Sequence, residues 1–208
     1  MIDLYSSPTP NGRKITIMLE ELGVEYNPIF IDLDQKKQFS EDFSKISPSN
    51  KIPVIVDKDN NNQIIFESGA ILLYLAEKYN KFVNEEYYWE IIQWVFFQMS
   101  YVGPMLGQAH QYLFYNPGKS KFAEEKTRGY TKHIYEILDK RLSKQEYFSN
   151  EYTIADIAIW PWTARFERHQ IDLNNYPNVL RWYLQISKRP AVIKGYNVVG
   201  NFFEIPKP

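Results

Sequence analysis

The sequence predicts an α/β domain over residues 1–79, built on a mixed four-stranded sheet, followed by an all-α domain. Two observations predict this. β-prone and helix-periodic segments alternate in the order βαβαββα through about residue 79, and from residue 85 onward the pattern is helical almost throughout. Strand and helix alternation that ends in a hairpin suits a mixed sheet with helices on both faces. The polar stretch 80–84 reads as a linker, so the expected division is 1–79, 80–84 and 85–208.

Each element has its own signal. Residues 2–5 are β-prone and stop at the turn-rich Ser6-Ser7-Pro8-Thr9-Pro10-Asn11-Gly12. A helix follows, with Ile15, Met18, Leu19 and Leu22 on one face and Gly23 just past its end. Residues 26–33 alternate as a strand does, and 40–45 read as a short helix before Ser47-Pro48. Pro53-Val54-Ile55-Val56 reads as a buried strand and Ile64-Ile65-Phe66 as its hairpin partner, with 57–62 as the polar turn. Ser68 opens an apolar helix that runs to about Lys78. Further helices are expected at about 86–115, 121–142, 153–169 and 177–188. Thr153-Ile154-Ala155-Asp156 is a capping box, flanked by Tyr152 and Ile157 where a hydrophobic staple belongs. It nucleates a helix and does no chemistry.

Composition narrows the function. With 44% hydrophobic and 24% charged residues the chain is not disordered, and a formal net charge of −1 supplies no field for nucleic acid or an acidic membrane. No apolar run approaches the roughly 20 residues of a membrane span, and nothing ahead of Gly12 resembles an export signal. A cytoplasmic location is expected. There are no cysteines, which rules out disulfides and a cysteine nucleophile carried by the protein. The three histidines, His110, His133 and His169, lack metal-ligand spacing, so no metal is expected. Any thiol chemistry needs a sulfur that arrives on a small molecule.

Three segments of the first domain converge if the sheet forms as described. In the first, Asn11 is an N-cap candidate at a helix start whose partial positive charge favours an anion such as a thiolate. The prolines and Gly12 there equally suit a plain tight loop. In the second, Asn50-Lys51-Ile52-Pro53 carries an X-Pro bond entering a strand, a candidate cis bond. In cis it would present the Ile52 backbone to an extended ligand. In the third, Phe66-Glu67-Ser68-Gly69-Ala70 sets Ser68 as a cap whose helix dipole holds a carboxylate while Glu67 pairs with an ammonium. By itself this is also an ordinary N-cap.

Taken together, these segments resemble the glutathione transferase superfamily, and most closely its bacterial nu class of glutathione-dependent disulfide-bond reductases. The resemblance rests on Tyr5-x-x-Pro8-Thr9-Pro10-Asn11-Gly12, Ile46-Ser47-Pro48-x-Asn50-Lys51-Ile52-Pro53 and the run from Phe66 to Ala76. In the second domain it rests on Gly103-Pro104-Met105-Leu106-Gly107-Gln108 and Ile154-Ala155-Asp156-Ile157-Ala158-x-Trp160-Pro161-Trp162. It implies a thioredoxin-like first domain, a homodimer, and glutathione as cosubstrate with no metal. Thr9 and Asn11 would face the glutathione sulfur, Gln38 and Lys51 would hold the glycyl end, and Ile52 and Pro53 would receive the cysteinyl unit. Glu67 and Ser68 would bind the γ-glutamyl head, and Lys126 or Arg128 would add a basic contact. Gly103-Pro104 is expected to kink its helix, leaving Tyr101, Met105, Gln108 and His110 to border a disulfide substrate or simply to pack around the kink. Reduction of a small disulfide by bound glutathione is the expected reaction. Conjugation of glutathione to an electrophile and a non-catalytic regulatory role are the alternatives.

Overall fold

The computed structural model describes residues 1–200 and 202–208. It divides into two compact units, Met1–Lys81 with Arg189–Ile205, and Phe82–Lys188 with Pro206–Pro208. The break at Lys81 lies inside the 80–84 stretch. The expectation that 85–208 forms one domain is corrected, because Arg189–Ile205 belongs with the first unit.

The first unit is built on strands β1 (Ile2–Ser6), β2 (Tyr26–Phe30), β3 (Val54–Asp57) and β4 (Gln63–Phe66), ordered β2-β1-β3-β4. β1 runs parallel to β2 and antiparallel to β3, and β3 pairs antiparallel with β4. The expected mixed thioredoxin-like sheet is therefore present. β2 ends earlier than its alternation suggests, and Pro28 explains its place: proline lacks a ladder N–H and is tolerated on an edge strand. Helix α1 (Pro10–Leu22) buries Ile15, Ile17, Met18 and Leu19, and the α1–α3 pair packs together, with α3 (Ser68–Tyr79) burying Ile71, Leu72 and Leu75. A short α2 (Glu41–Ile46) sets Phe43 against Val54, with the Tyr5 ring 6.3 Å away. Tyr5 thus packs into the core, as its strand position suggests.

The second unit holds α4 (Tyr88–Phe97), α5 (Gly103–Ala109), α6 (Lys121–Leu142), α7 (Ile154–Thr163) and α8 (Pro177–Ser187). Pro104 does not end the first long helix. Wider π-turns at Gln98–Val102 and His110–Tyr115 flank α5, and a π-turn is one way to accommodate the amide hydrogen that proline lacks. Trp160, Trp162 and Trp182 are buried, as expected of core residues. Asp156 completes the capping box and also accepts from the Phe148 amide at 3.1 Å and the Trp182 indole at 2.8 Å. No helix among the described residues is long and apolar enough to cross a membrane.

The sequence reading missed α9 (Pro190–Gly195), which packs on α1. Thr16 donates to the Gly195 carbonyl at 2.5 Å, Arg13 donates to the Tyr196 carbonyl at 3.0 Å, and Arg189 grips Glu21 with two nitrogens. Only glycine fits at 195, where a Cβ would sit 2.7 Å from the Ile17 Cα.

Candidate functional site

The site begins where β1 gives way to α1. Thr9 holds extended backbone angles and its hydroxyl accepts the Gly12 amide at 3.1 Å, so Thr9 is the N-cap. Asn11, expected as the cap, instead lies in the first helical turn. The reason is Pro10: its fixed φ and missing N–H suit the first helical position, which moves the cap one residue upstream of it. Gly12 passes so close to Ser7 and Ser6 that a Cβ would collide with the Ser7 carbonyl and the Ser6 hydroxyl. This close passage fixes where the helix starts, and with it where Asn11 stands.

The second segment is held by its own polar side chains. Ser47 Oγ accepts the Lys51 amide at 3.0 Å and donates to the Lys51 carbonyl at 2.8 Å. Asn50, at φ 53°, donates to the Gln38 carbonyl at 2.8 Å and to Ser44 Oγ at 2.6 Å. The Ile52–Pro53 peptide bond is cis. Lys51 is exposed, Ile52 half-buried and Pro53 buried at the start of β3.

The third segment corrects another expectation. Ser68 is not the cap of α3 but its first residue, because the Glu67 carbonyl already accepts the Ile71 amide. Glu67 is the N-cap at φ 71°, a conformation that costs a residue with a Cβ on the order of 1–3 kcal/mol. Its side chain makes no capping hydrogen bond and is exposed. The start of this 12-residue helix therefore offers backbone amides that no side chain of its cap satisfies, beside a carboxylate. Behind it, fully buried Lys14 donates to Ser68 Oγ at 3.1 Å. Burial holds the Lys14 ammonium well below the usual lysine range, and the Glu67 carboxylate partly opposes this. The sequence reading passed over Lys14, since a lysine within an amphipathic helix ordinarily marks the solvent face.

A cavity of about 280 Å³ joins the three segments, lined by Asn11, Ser49, Lys51, Ile52, Pro53, Phe66, Glu67 and Ser68. Six of these are expected site residues; Ser49 and Phe66 are additions. Thr9 and Gln38 stand outside the lining. Thr9 acts on it by setting the start of α1, and Gln38 by holding Asn50, while its own Oε1 is buried with no partner among the described residues. The cavity offers a carboxylate for an ammonium, a helix N-terminus for an anion, and main-chain groups at the cis bond for an extended peptide. Those are the recognition elements of an amino-acid head group joined to a peptide-like tail. Among the described residues no group of His, Asp and Glu side chains is gathered to hold a metal ion.

The candidates in the helical unit are not among the residues that line this cavity. Tyr101 and Met105 are half-buried and Gln108 is exposed. His110, expected either to border a substrate or to pack around the kink, is buried. It is turned into the unit's core, stacked on Trp162 and on His169, whose other ring nitrogen lies 2.9 Å from the Tyr135 hydroxyl. Burial, with the charges of Arg168 and Arg165, pushes the His110 pKa down to about 4. Arg128 is exposed on α6 and donates to Gln170, and the Lys126 ammonium lies between the Phe122 and Tyr130 rings.

Residues 1–77 match the family described as glutathione S-transferase, N-terminal domain, and residues 101–190 match glutathione S-transferase, C-terminal domain. The chain is 46% identical over 198 residues to the disulfide-bond oxidoreductase YfcG of Escherichia coli, covering 92% of each protein. A crystal structure of a glutathione transferase from Pseudomonas putida, with one glutathione disulfide bound per subunit, superposes with a TM-score of 0.90 at 36% identity, covering 96% of this chain and 92% of that one. Another, from Burkholderia graminis with two glutathione molecules per subunit, gives 0.89 at 35% identity, covering 95% and 88%. The chain belongs to the glutathione S-transferase family.

Proposed function

We propose that this chain is a glutathione-dependent disulfide reductase in which bound glutathione, and no protein residue, carries the attacking sulfur. The observation that carries the reading is the cavity in which Asn11, Ile52, Glu67 and Ser68 meet at two helix N-termini, in a chain without cysteine. Glu67 takes the γ-glutamyl ammonium, and Ser68 with the first amides of α3 takes its carboxylate. Ile52 pairs with the cysteinyl main chain, and Lys51 with Gln38 receives the glycyl end. Asn11 and Thr9 face the thiolate at the start of α1. The similarity to a disulfide-bond oxidoreductase and to a protein holding glutathione disulfide supports this assignment.

In the proposed reaction the glutathione thiolate attacks one sulfur of a small disulfide, whose S–S bond breaks and releases a thiolate. A second glutathione thiolate then attacks the resulting mixed disulfide, giving glutathione disulfide and the second reduced product. Activation of the thiol is the lesser part. Lowering a thiol pKa from about 8.5 to about 6.5 raises the thiolate fraction at pH 7 about 25-fold but lowers intrinsic nucleophilicity about 8-fold, a net gain of about threefold. Positioning contributes far more, since effective molarities for well-placed reactants are larger by orders of magnitude.

A second copy of the chain is the proposed partner. Trp89 and Phe96 stand seven residues apart on α4 and are 73% and 60% exposed, an apolar stripe that a subunit contact would cover. Turnover assays test the reaction. With glutathione present, a small symmetrical disulfide is expected to be reduced much faster than a halogenated aromatic is conjugated; the reverse preference would make the protein a conjugating transferase.

A further inference from the structure

We infer that Lys14 is a positioning residue for the γ-glutamyl head of the thiol substrate, acting from behind the cavity through Ser68. This rests on the glutathione reading above and adds to it a residue that touches no ligand. An ammonium with no exposed surface is costly to bury, and α1 could place an apolar side chain here instead. Its gains include Ser68 Oγ at 3.1 Å and the nearby Glu67 carboxylate.

The consequence follows from donor and acceptor inventory. Lys14 Nζ donates to Ser68 Oγ, so the hydroxyl faces Lys14 as an acceptor and directs its own O–H away from it. The head group to be bound brings a carboxylate beside Glu67, and like charges side by side raise the cost of binding. A ligand carboxylate held against this face favours the ammonium form of Lys14, as the Glu67 carboxylate already does, and that charge, carried on α1, offsets the repulsion without competing for the ligand's own contacts. Lys14 thereby couples the helix that meets the sulfur to the helix that meets the amino acid.

Steady-state kinetics and calorimetry of the full chain with two thiols, glutathione and cysteinylglycine, test the inference. Cysteinylglycine keeps the thiol and glycyl end but lacks the γ-glutamyl unit. Lys14→Met is expected to raise KM and Kd for glutathione about tenfold, with kcat within twofold, and to leave both constants for cysteinylglycine unchanged. In a Ser68→Ala background the same substitution is expected to cost less than twofold, because the group it acts through is gone. Lys14→Gln, which retains a donor, should recover part of the loss and serves if the methionine variant does not fold. Unchanged glutathione affinity in both variants, or an equal loss for both thiols, overturns the inference. Failure of the unaltered protein to take up glutathione overturns instead the reading on which it rests.

Discussion

Replacing Asp156 with alanine is expected to lower the unfolding free energy by about 4 kcal/mol, far more than the loss of a helix cap. The carboxylate accepts from the Thr153 amide at 3.0 Å, the Phe148 amide at 3.1 Å and the Trp182 indole at 2.8 Å, and it is fully buried. Removing it leaves three buried donors unpaired, each costing on the order of 1–3 kcal/mol before water or local relaxation recovers part. Thr153→Ala, which removes only the other half of the capping box, should cost about 1 kcal/mol. Urea denaturation of the two variants separates the cases; equal losses would mean that Asp156 is only a cap. The pH dependence has a definite sign. Burial pushes the Asp156 carboxyl up to about 6, against the opposing hydrogen bonds from Thr153, Trp182 and Phe148. The folded chain therefore binds a proton between about pH 4 and 6 that the unfolded chain does not. This stabilisation is complete below the unfolded-state value and is lost as pH rises through about 6, so the parent's advantage over Asp156→Ala is larger at pH 4 than at pH 7.

Asp156 also marks how far the sequence could be read. Its capping role was legible because Thr-x-x-Asp ahead of an apolar run is a local signal. Its grip on Trp182, 26 residues on, depends on how helices pack, and no spacing encodes that. The same divide runs through the rest of the fold. The βαβαββα order was legible because periodicity is local, and α6 appeared with the expected limits, Lys121–Leu142. α9 was not, since six residues carry no periodicity and this helix is defined by the close passage of Gly195 over Ile17.

At the candidate site, residue types were more legible than their geometry. Asn11, Lys51, Ile52, Pro53, Glu67 and Ser68 line one cavity, yet both helix starts lay a residue or two from where capping preferences put them. Pro10 explains the first shift. The second turns on Glu67 at positive φ, which nothing about a glutamate announces. Lys14 was illegible for a related reason: whether a helical lysine meets solvent or a second helix is decided by tertiary packing.

The largest expected effect on activity is at Asn11. Asn11→Ala should lower kcat/KM for disulfide reduction by roughly 30- to 100-fold, the equivalent of losing one hydrogen bond to a charged atom worth about 2–3 kcal/mol. Asn11 lies in the first turn of α1 and lines the cavity, so its removal takes away the donor proposed for the sulfur without touching the groups proposed for the amino-acid head. The fall should therefore appear in kcat, with KM for glutathione changed less than threefold. Rate measurements at saturating glutathione decide it. A variant that keeps its kcat would remove Asn11 from the reacting end.

The whole account stands on one tripeptide lodging in the first unit. Isothermal titration of the intact protein with reduced and then oxidised glutathione tests that most directly, with Glu67→Ala alongside. Saturable heat at millimolar concentration or below, weakened at least tenfold in Glu67→Ala, is the expected result. No heat from either form, or equal uptake by parent and variant, would contradict it.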